Sequence, residues 1–261
     1  MNRTSLYRAF VGLMAAASLT LAGAEDARAI VEAARNRIDA ATVSTRSRMV
    51  IEEKGGQTSE RVLDQYSSDG PKGSRTLIVF KAPASVAGTR FLTMETGSGP
   101  DDRWIFLPSL GKVRRVASSE GSGSFMGTDL SYDDISSADR DVSLDTHTYL
   151  REETLSGKAC HVIESVSIDA SYQYSKMVSW IDKASDVAWK IELYDRKGAL
   201  AKVLEVLEVK DIQSRLTPVK TRMTTVAAKT STTINAEIVR YDDKIPEGVF
   251  TQDYLSTGRV K

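Results

Sequence analysis

The chain has 261 residues, 35 Lys and Arg against 35 Asp and Glu, 41% hydrophobic residues, 17 Gly, 6 Pro and a single Cys. This is an ordinary globular composition and excludes collagen, coiled coil, a disulfide scaffold and bulk disorder. The even charge, with no long Lys/Arg run, excludes a phosphate-neutralising surface, so no nucleic-acid partner is expected.

Residues 1–24 read as a secretory signal peptide. Arg3 and Arg8 supply a positive start, Phe10 to Leu21 is apolar but too short to span a bilayer, and Ala22-Gly23-Ala24 fits the small-residue cleavage rule. The expected mature chain is one domain, residues 25–261. No Cys follows Leu21-Ala22-Gly23 to carry a lipid, so a soluble, monomeric protein of the periplasm is expected. An uncleaved anchor is the alternative. The lone Cys160 forbids an intrachain disulfide, and in the apolar run Ala159 to Ile163 it reads as a buried, inert thiol.

Glu25 to Ala41 predicts a helix. Acidic Glu25 and Asp26 stand at its start, and Ile30, Ala33, Ala34, Ile38 and Ala41 recur at three- and four-residue spacing. Ala33, Ala34 and Ala41 would make it a displaceable cover. Beyond it, Val, Ile, Thr and Tyr dominate about a dozen strands separated by Gly, Asp or Ser turns. They are Thr42–Glu53, Ser59–Ser67, Arg75–Lys81, Thr89–Glu95, Asp102–Leu107, Lys112–Ser118, Thr148–Leu155, Ala159–Ile168, Lys176–Asp182, Val187–Tyr194, Ala199–Lys210, Pro218–Ala227 and Thr230–Tyr241. Ser156-Gly157-Lys158 and Asp195 to Gly198 look like hairpin turns. A sheet this wide curls, splits or closes, which points to an antiparallel barrel or strongly curved half-barrel.

Ser118 to Ala138 differs from the rest, with Gly-rich backbone followed by Phe125, Met126, Leu130, Tyr132 and Ile135. It reads either as a lid or as a surface loop with its own cluster. Catalytic signatures are thin. His147 and His161 form no metal-binding spacing, Gly121 to Gly127 fails both phosphate-loop patterns, and Asp129, Asp133 and Asp134 lack the calcium-loop spacing. No enzyme activity, metal or cofactor is expected. The apolar aromatics Phe91, Trp104, Phe106, Trp180 and Trp189 are candidates to line a concave lipid site, against the simpler reading that each fills a closed core.

The run from Trp104 through Pro108, Lys112, Arg114 and Arg115, followed by Ser124-Phe-Met-Gly-Thr-Asp-Leu-Ser-Tyr-Asp-Asp134, resembles the signature of the outer-membrane lipoprotein-sorting protein family, relatives of the Lol-type periplasmic carrier. The resemblance implies a mainly β (α+β) fold, an unclosed antiparallel β-barrel or strongly curved sheet with an N-terminal helix and loop lid. It also implies lipid or lipoprotein cargo and an inner-membrane transporter of the resistance-nodulation-division (RND) type as partner. Lys112, Arg114 and Arg115 would then latch the flap through Asp129, Asp133 and Asp134, meet an anionic headgroup, or form a solvated edge. Two functions follow: a carrier that shields an acyl chain, or a docking protein of an envelope transporter that holds no lipid. An apolar cavity favours the first and a filled interior the second.

Overall fold

The computed structural model describes residues 19–70, 73–96, 101–136 and 141–260, with backbone alone for residues 19–26. Most of the expected signal lies outside the described residues. Helix α1 (Leu19–Asn36) starts and stops earlier than the expected span. Ile38 and Ala41 fall beyond its end, where the chain turns at Arg37 and enters extended backbone at β-branched Thr42 and Val43. Ala33 and Ala41 are exposed, and the buried stripe is instead Ala27 and Val31, with Ile30 and Ala34 beside them.

Thirteen strands follow: β1 (Thr42–Glu52), β2 (Thr58–Ser68), β3 (Arg75–Ala82), β4 (Arg90–Met94), β5 (Asp102–Leu107), β6 (Lys112–Arg115), β7 (Asp145–Leu155), β8 (Lys158–Ser167), β9 (Tyr174–Asp182), β10 (Ala188–Asp195), β11 (Leu200–Ile212), β12 (Arg215–Thr225) and β13 (Thr230–Tyr241). They form one antiparallel sheet in the order β6-β5-β4-β3-β2-β1-β13-β12-β11-β10-β9-β8-β7. Two meanders therefore join where β1 pairs with β13, and β6 and β7 end the sheet without pairing to each other. The turns do what their residues require: Ser156 and Gly157 both take positive φ, and Asp195 Oδ1 accepts from the amides of Lys197 and Ala199.

The sheet is strongly curved. Asp133 binds Arg103 on β5, while its neighbour Asp134 binds Tyr174 on β9, nine strand spacings away. Flat, those strands would stand roughly 43 Å apart. Adjacent residues can touch both only if the sheet wraps around them.

Each face has its own cover. On the concave face, Ala27 and Val31 of α1 pack on Ile163 and Ile181 at the β7–β9 end, and the segment joining β6 to β7 covers the middle. On the convex face, a 3₁₀ turn (Glu247–Phe250) and helix α3 (Gln252–Thr257) bring Val249, Phe250 and Leu255 against Leu77, Val79 and Leu92. Thr251 caps α3 by accepting from the Tyr254 amide, and Gly258 ends it in the left-handed conformation. Arg75, itself buried, donates to Glu247 at 2.5 Å and ties this strap to β3.

Candidate functional site: the flap and the concave floor

Strand register sets the floor. Phe91 on β4 pairs with Ile78 on one side and Ile105 on the other, and Leu63 pairs with Phe80. Paired residues share a face, so these side chains form one apolar surface, continued by Met49 and Met223. All are at most 5% exposed.

The flap fills that surface. Phe125, Met126, Gly127 and Thr128 make a tight turn in which Met126 and Gly127 both have positive φ and the Thr128 amide donates to the Phe125 carbonyl at 3.1 Å. This geometry favours Gly at its second central position and explains the Phe-Met-Gly sequence. The turn drives Phe125 to 0% exposure, with its ring 5.6 Å from Phe80, 5.2 Å from Phe91 and 5.6 Å from Tyr132. Helix α2 (Tyr132–Ser136) follows at once. Its cap is reciprocal, because the Asp134 amide donates to Ser131 Oγ and the Ser131 amide donates to Asp134 Oδ2.

Three carboxylates fasten the flap. Asp129 accepts from the hydroxyls of Thr225, Thr230 and Thr232 on the β12–β13 hairpin, and its own amide donates to Thr232 Oγ1 at 2.9 Å. Asp133 accepts from Arg103 at 2.6 Å. Asp134 accepts from Lys202 Nζ at 2.7 Å, from the Tyr174 hydroxyl at 2.8 Å and from Gln173. Burial, together with the Asp134 charge, pushes the Tyr174 phenol up from its ordinary value. A Cβ at Gly121 would press on the Asp133 carboxylate, so a side chain there would shift Asp133 from its place beside Arg103.

The structure thus redistributes the residues that the sequence proposed. Of the five candidate lining aromatics, Phe91 lies on the concave floor. Trp104 pairs with Leu92 and Phe106 with Arg90, one residue out of phase with Ile105, so both pack under the C-terminal strap on the convex face. Trp180 is also convex, with Cys160, Val162 and Val178. Trp189 is half-buried, with the Lys158 ammonium 4.4 Å over its ring. A shift of one residue inverts a strand's faces, which is why the Trp104–Phe106 alternation pointed the wrong way.

The basic strand does not hold Asp129, Asp133 or Asp134, and among the described residues of the flap segment it reaches only Glu120, at the start. Arg114 pairs with Glu120 at 3.0 Å, Arg115 pairs with Asp102, and Lys112 is exposed. These local pairs form a solvated edge, and the acids reach Arg103, Lys202 and the threonines instead. Sequence reading missed those partners because each lies on a strand remote from the acid it binds. The one local signal was Ser131-Tyr-Asp-Asp134, a capping box in plain view.

The histidines are held structurally. The Val142 carbonyl requires a donor, so His147 Nε2 donates to it (2.9 Å), and Nδ1 shares a hydrogen bond with Ser165 Oγ (2.8 Å). His161 stacks edge-on against Tyr149. Among the described residues, no group of three His, Cys, Asp or Glu side chains is placed to hold a metal. Beside α3, an open groove of about 290 Å³ is lined by Val79, Lys81, Arg90, Tyr254 and neighbours, apart from the flap.

A family model described as an uncharacterized protein matches residues 72–257. An outer membrane lipoprotein-sorting protein domain from Vibrio parahaemolyticus is similar in structure, with TM-score 0.83 and 30% identity over 89% of this chain and 99% of that one. A DUF1329 family protein from Desulfovibrio piger gives TM-score 0.85 and 28% identity over the same shares. A LolA superfamily protein from Nitrosomonas europaea, at 20% identity and TM-score 0.71 over 88% of this chain and 99% of that one, shares the fold. No curated protein is similar enough to match. With the family model spanning most of the chain and the Vibrio domain matched almost end to end, the chain belongs to the outer membrane lipoprotein-sorting protein family.

Proposed function

We propose that the protein is a periplasmic carrier that shields the acyl chain of a lipid or lipoprotein on its concave face, in the space the flap now fills. The observation that carries this reading is the nature of the cover. An apolar floor is closed by a short segment of the chain, inserted through Phe125 and fastened by carboxylates to polar groups. Apolar contact is exchanged for equivalent apolar contact when an acyl chain replaces Phe125, so uptake and release stay near balance. The carrier-like fold shared with the Vibrio and Nitrosomonas proteins supports the reading. We further propose that residues 1–24 are a signal peptide, that the mature domain works as a monomer in the periplasm, and that an RND-type inner-membrane transporter is its partner. No described helix is long and apolar enough to cross a membrane.

Native mass spectrometry of protein purified gently from its periplasm tests this. The carrier reading predicts a stoichiometric adduct that leaves with organic solvent. The filled interior favours one competitor, a docking protein of an envelope transporter that holds no lipid. A protein that is bare as isolated, and still bare after incubation with envelope lipids, decides for that competitor.

A further inference from the structure

We infer that the cargo is an anionic amphiphile, and that the flap closes the site by imitating it. The inference rests on the carrier reading above and names the chemistry of its ligand. Phe125, Met126 and Tyr132 stand where an acyl chain would lie, and the next two residues, Asp133 and Asp134, present carboxylates to two cations of the sheet. Those cations are built into the concave face. Arg103 on β5 pairs with Thr93 on β4, next to the Phe91–Ile105 pair of the floor, and Lys202 pairs with Leu193, beside the pair of Ile191 and Leu204. Their side chains are only 12% and 15% exposed, and among the described residues the ion pair of each is to the flap.

A second observation concerns donors that the flap leaves over. Arg103 Nε and Thr93 Oγ1 are both buried and find no hydrogen-bond partner among the described residues. They belong to directly opposed residues, so they offer one additional oxygen acceptor a common site. When the flap leaves, Asp133 and Asp134 leave with it. A neutral acyl chain that then covers the floor would bury Arg103 and Lys202 without counter-charge, which is strongly unfavourable. An amphiphile with a phosphate or carboxylate beside its acyl chain restores both pairs and uses the spare donors. The flap's acids therefore act as a selectivity device as well as a fastening, because a ligand must match the charge it displaces.

The test uses the full mature chain and three lipids with the same acyl chains: phosphatidylglycerol, phosphatidylcholine and diacylglycerol, with glycerol phosphate as the headgroup alone. The expected result is at least about tenfold tighter binding of phosphatidylglycerol than of either other lipid, and no comparable binding of glycerol phosphate. Arg103→Met with Lys202→Met should abolish that preference while diacylglycerol still binds. Asp134→Asn leaves the sheet intact and should strengthen phosphatidylglycerol binding more than diacylglycerol binding, which keeps the test decisive if the double variant fails to fold. Equal binding of all three lipids would overturn the headgroup inference and leave the carrier reading standing. Binding of none would overturn the carrier reading itself, and glycerol phosphate binding as tightly as the lipid would reduce the site to a simple anion site.

Discussion

Phe125 and Trp104 are both large aromatic residues of one sequence motif, yet they face opposite sides of the sheet and predict different outcomes. Phe125→Ala removes a fully buried ring from between Phe80 and Phe91 and should cost about 3–5 kcal/mol in denaturant unfolding. It should also raise hydrophobic-dye binding, because the floor loses its plug. Trp104→Ala should lower stability through the convex strap contacts and leave lipid binding unchanged. Asp129→Ala leaves the hydroxyls of Thr225, Thr230 and Thr232 without their shared acceptor, and should cost about 1–3 kcal/mol, read from the thermal midpoint. Alkaline pH should loosen the flap. Burial raises the Tyr132 phenol above its ordinary value of 10.0, with Arg114 opposing, so the closed flap favours the neutral phenol. That contribution is complete below pH 10 and is lost as pH rises through the raised value. Dye binding should climb in this window, and less steeply in Tyr132→Phe; equal curves for the two proteins would contradict the assignment.

At the scale of elements, the C-terminal strap behaves as a separate cover. Deleting residues 245–261 exposes Leu77, Val79 and Leu92 and leaves Arg75 without Glu247. The expected outcome is a marked fall in thermal midpoint with dye binding and self-association, measured by scattering. What was legible in the sequence follows the same division. Strand positions were readable because each strand carries at least one Val, Ile or Thr, with turns such as Ser156-Gly157 between. β13 runs from Thr230 to Tyr241 as expected, whereas β6 ends at Arg115 and not Ser118, β7 starts at Asp145 and not Thr148, and β12 spans Arg215–Thr225 and not Pro218–Ala227. The segment from Ser118 to Ala138, whose last two residues lie outside the described residues, stood out by its glycines and apolar residues, but lid and self-packed surface loop were equally open there. Which way rings point was not legible, since Ile105 and Trp104 differ by one position and only pairing with Phe91 and Leu92 decides their faces. The partners of Asp129, Asp133 and Asp134 were equally hidden, being 30 to 103 positions away along the chain. The end of α1 was misplaced because Ile38 and Ala41 continue its apolar spacing past the point where the backbone turns.

For the whole molecule, the open sheet and the flap are one device. The sheet ends at β6 and β7, and the segment that links those two edges is the segment that enters the concavity. A flat sheet could not let neighbouring residues bind both β5 and β9. On the proposed carrier reading, cargo would be admitted by moving the link, with the thirteen strands unchanged. Hydrogen exchange of the mature protein with and without bound phosphatidylglycerol tests whether lipid displaces the flap. Displacement predicts that amides of residues 121–135 exchange faster when lipid is bound, while those of β3 and β4 stay protected. A flap whose protection is unchanged or increased in the lipid-bound protein would contradict it.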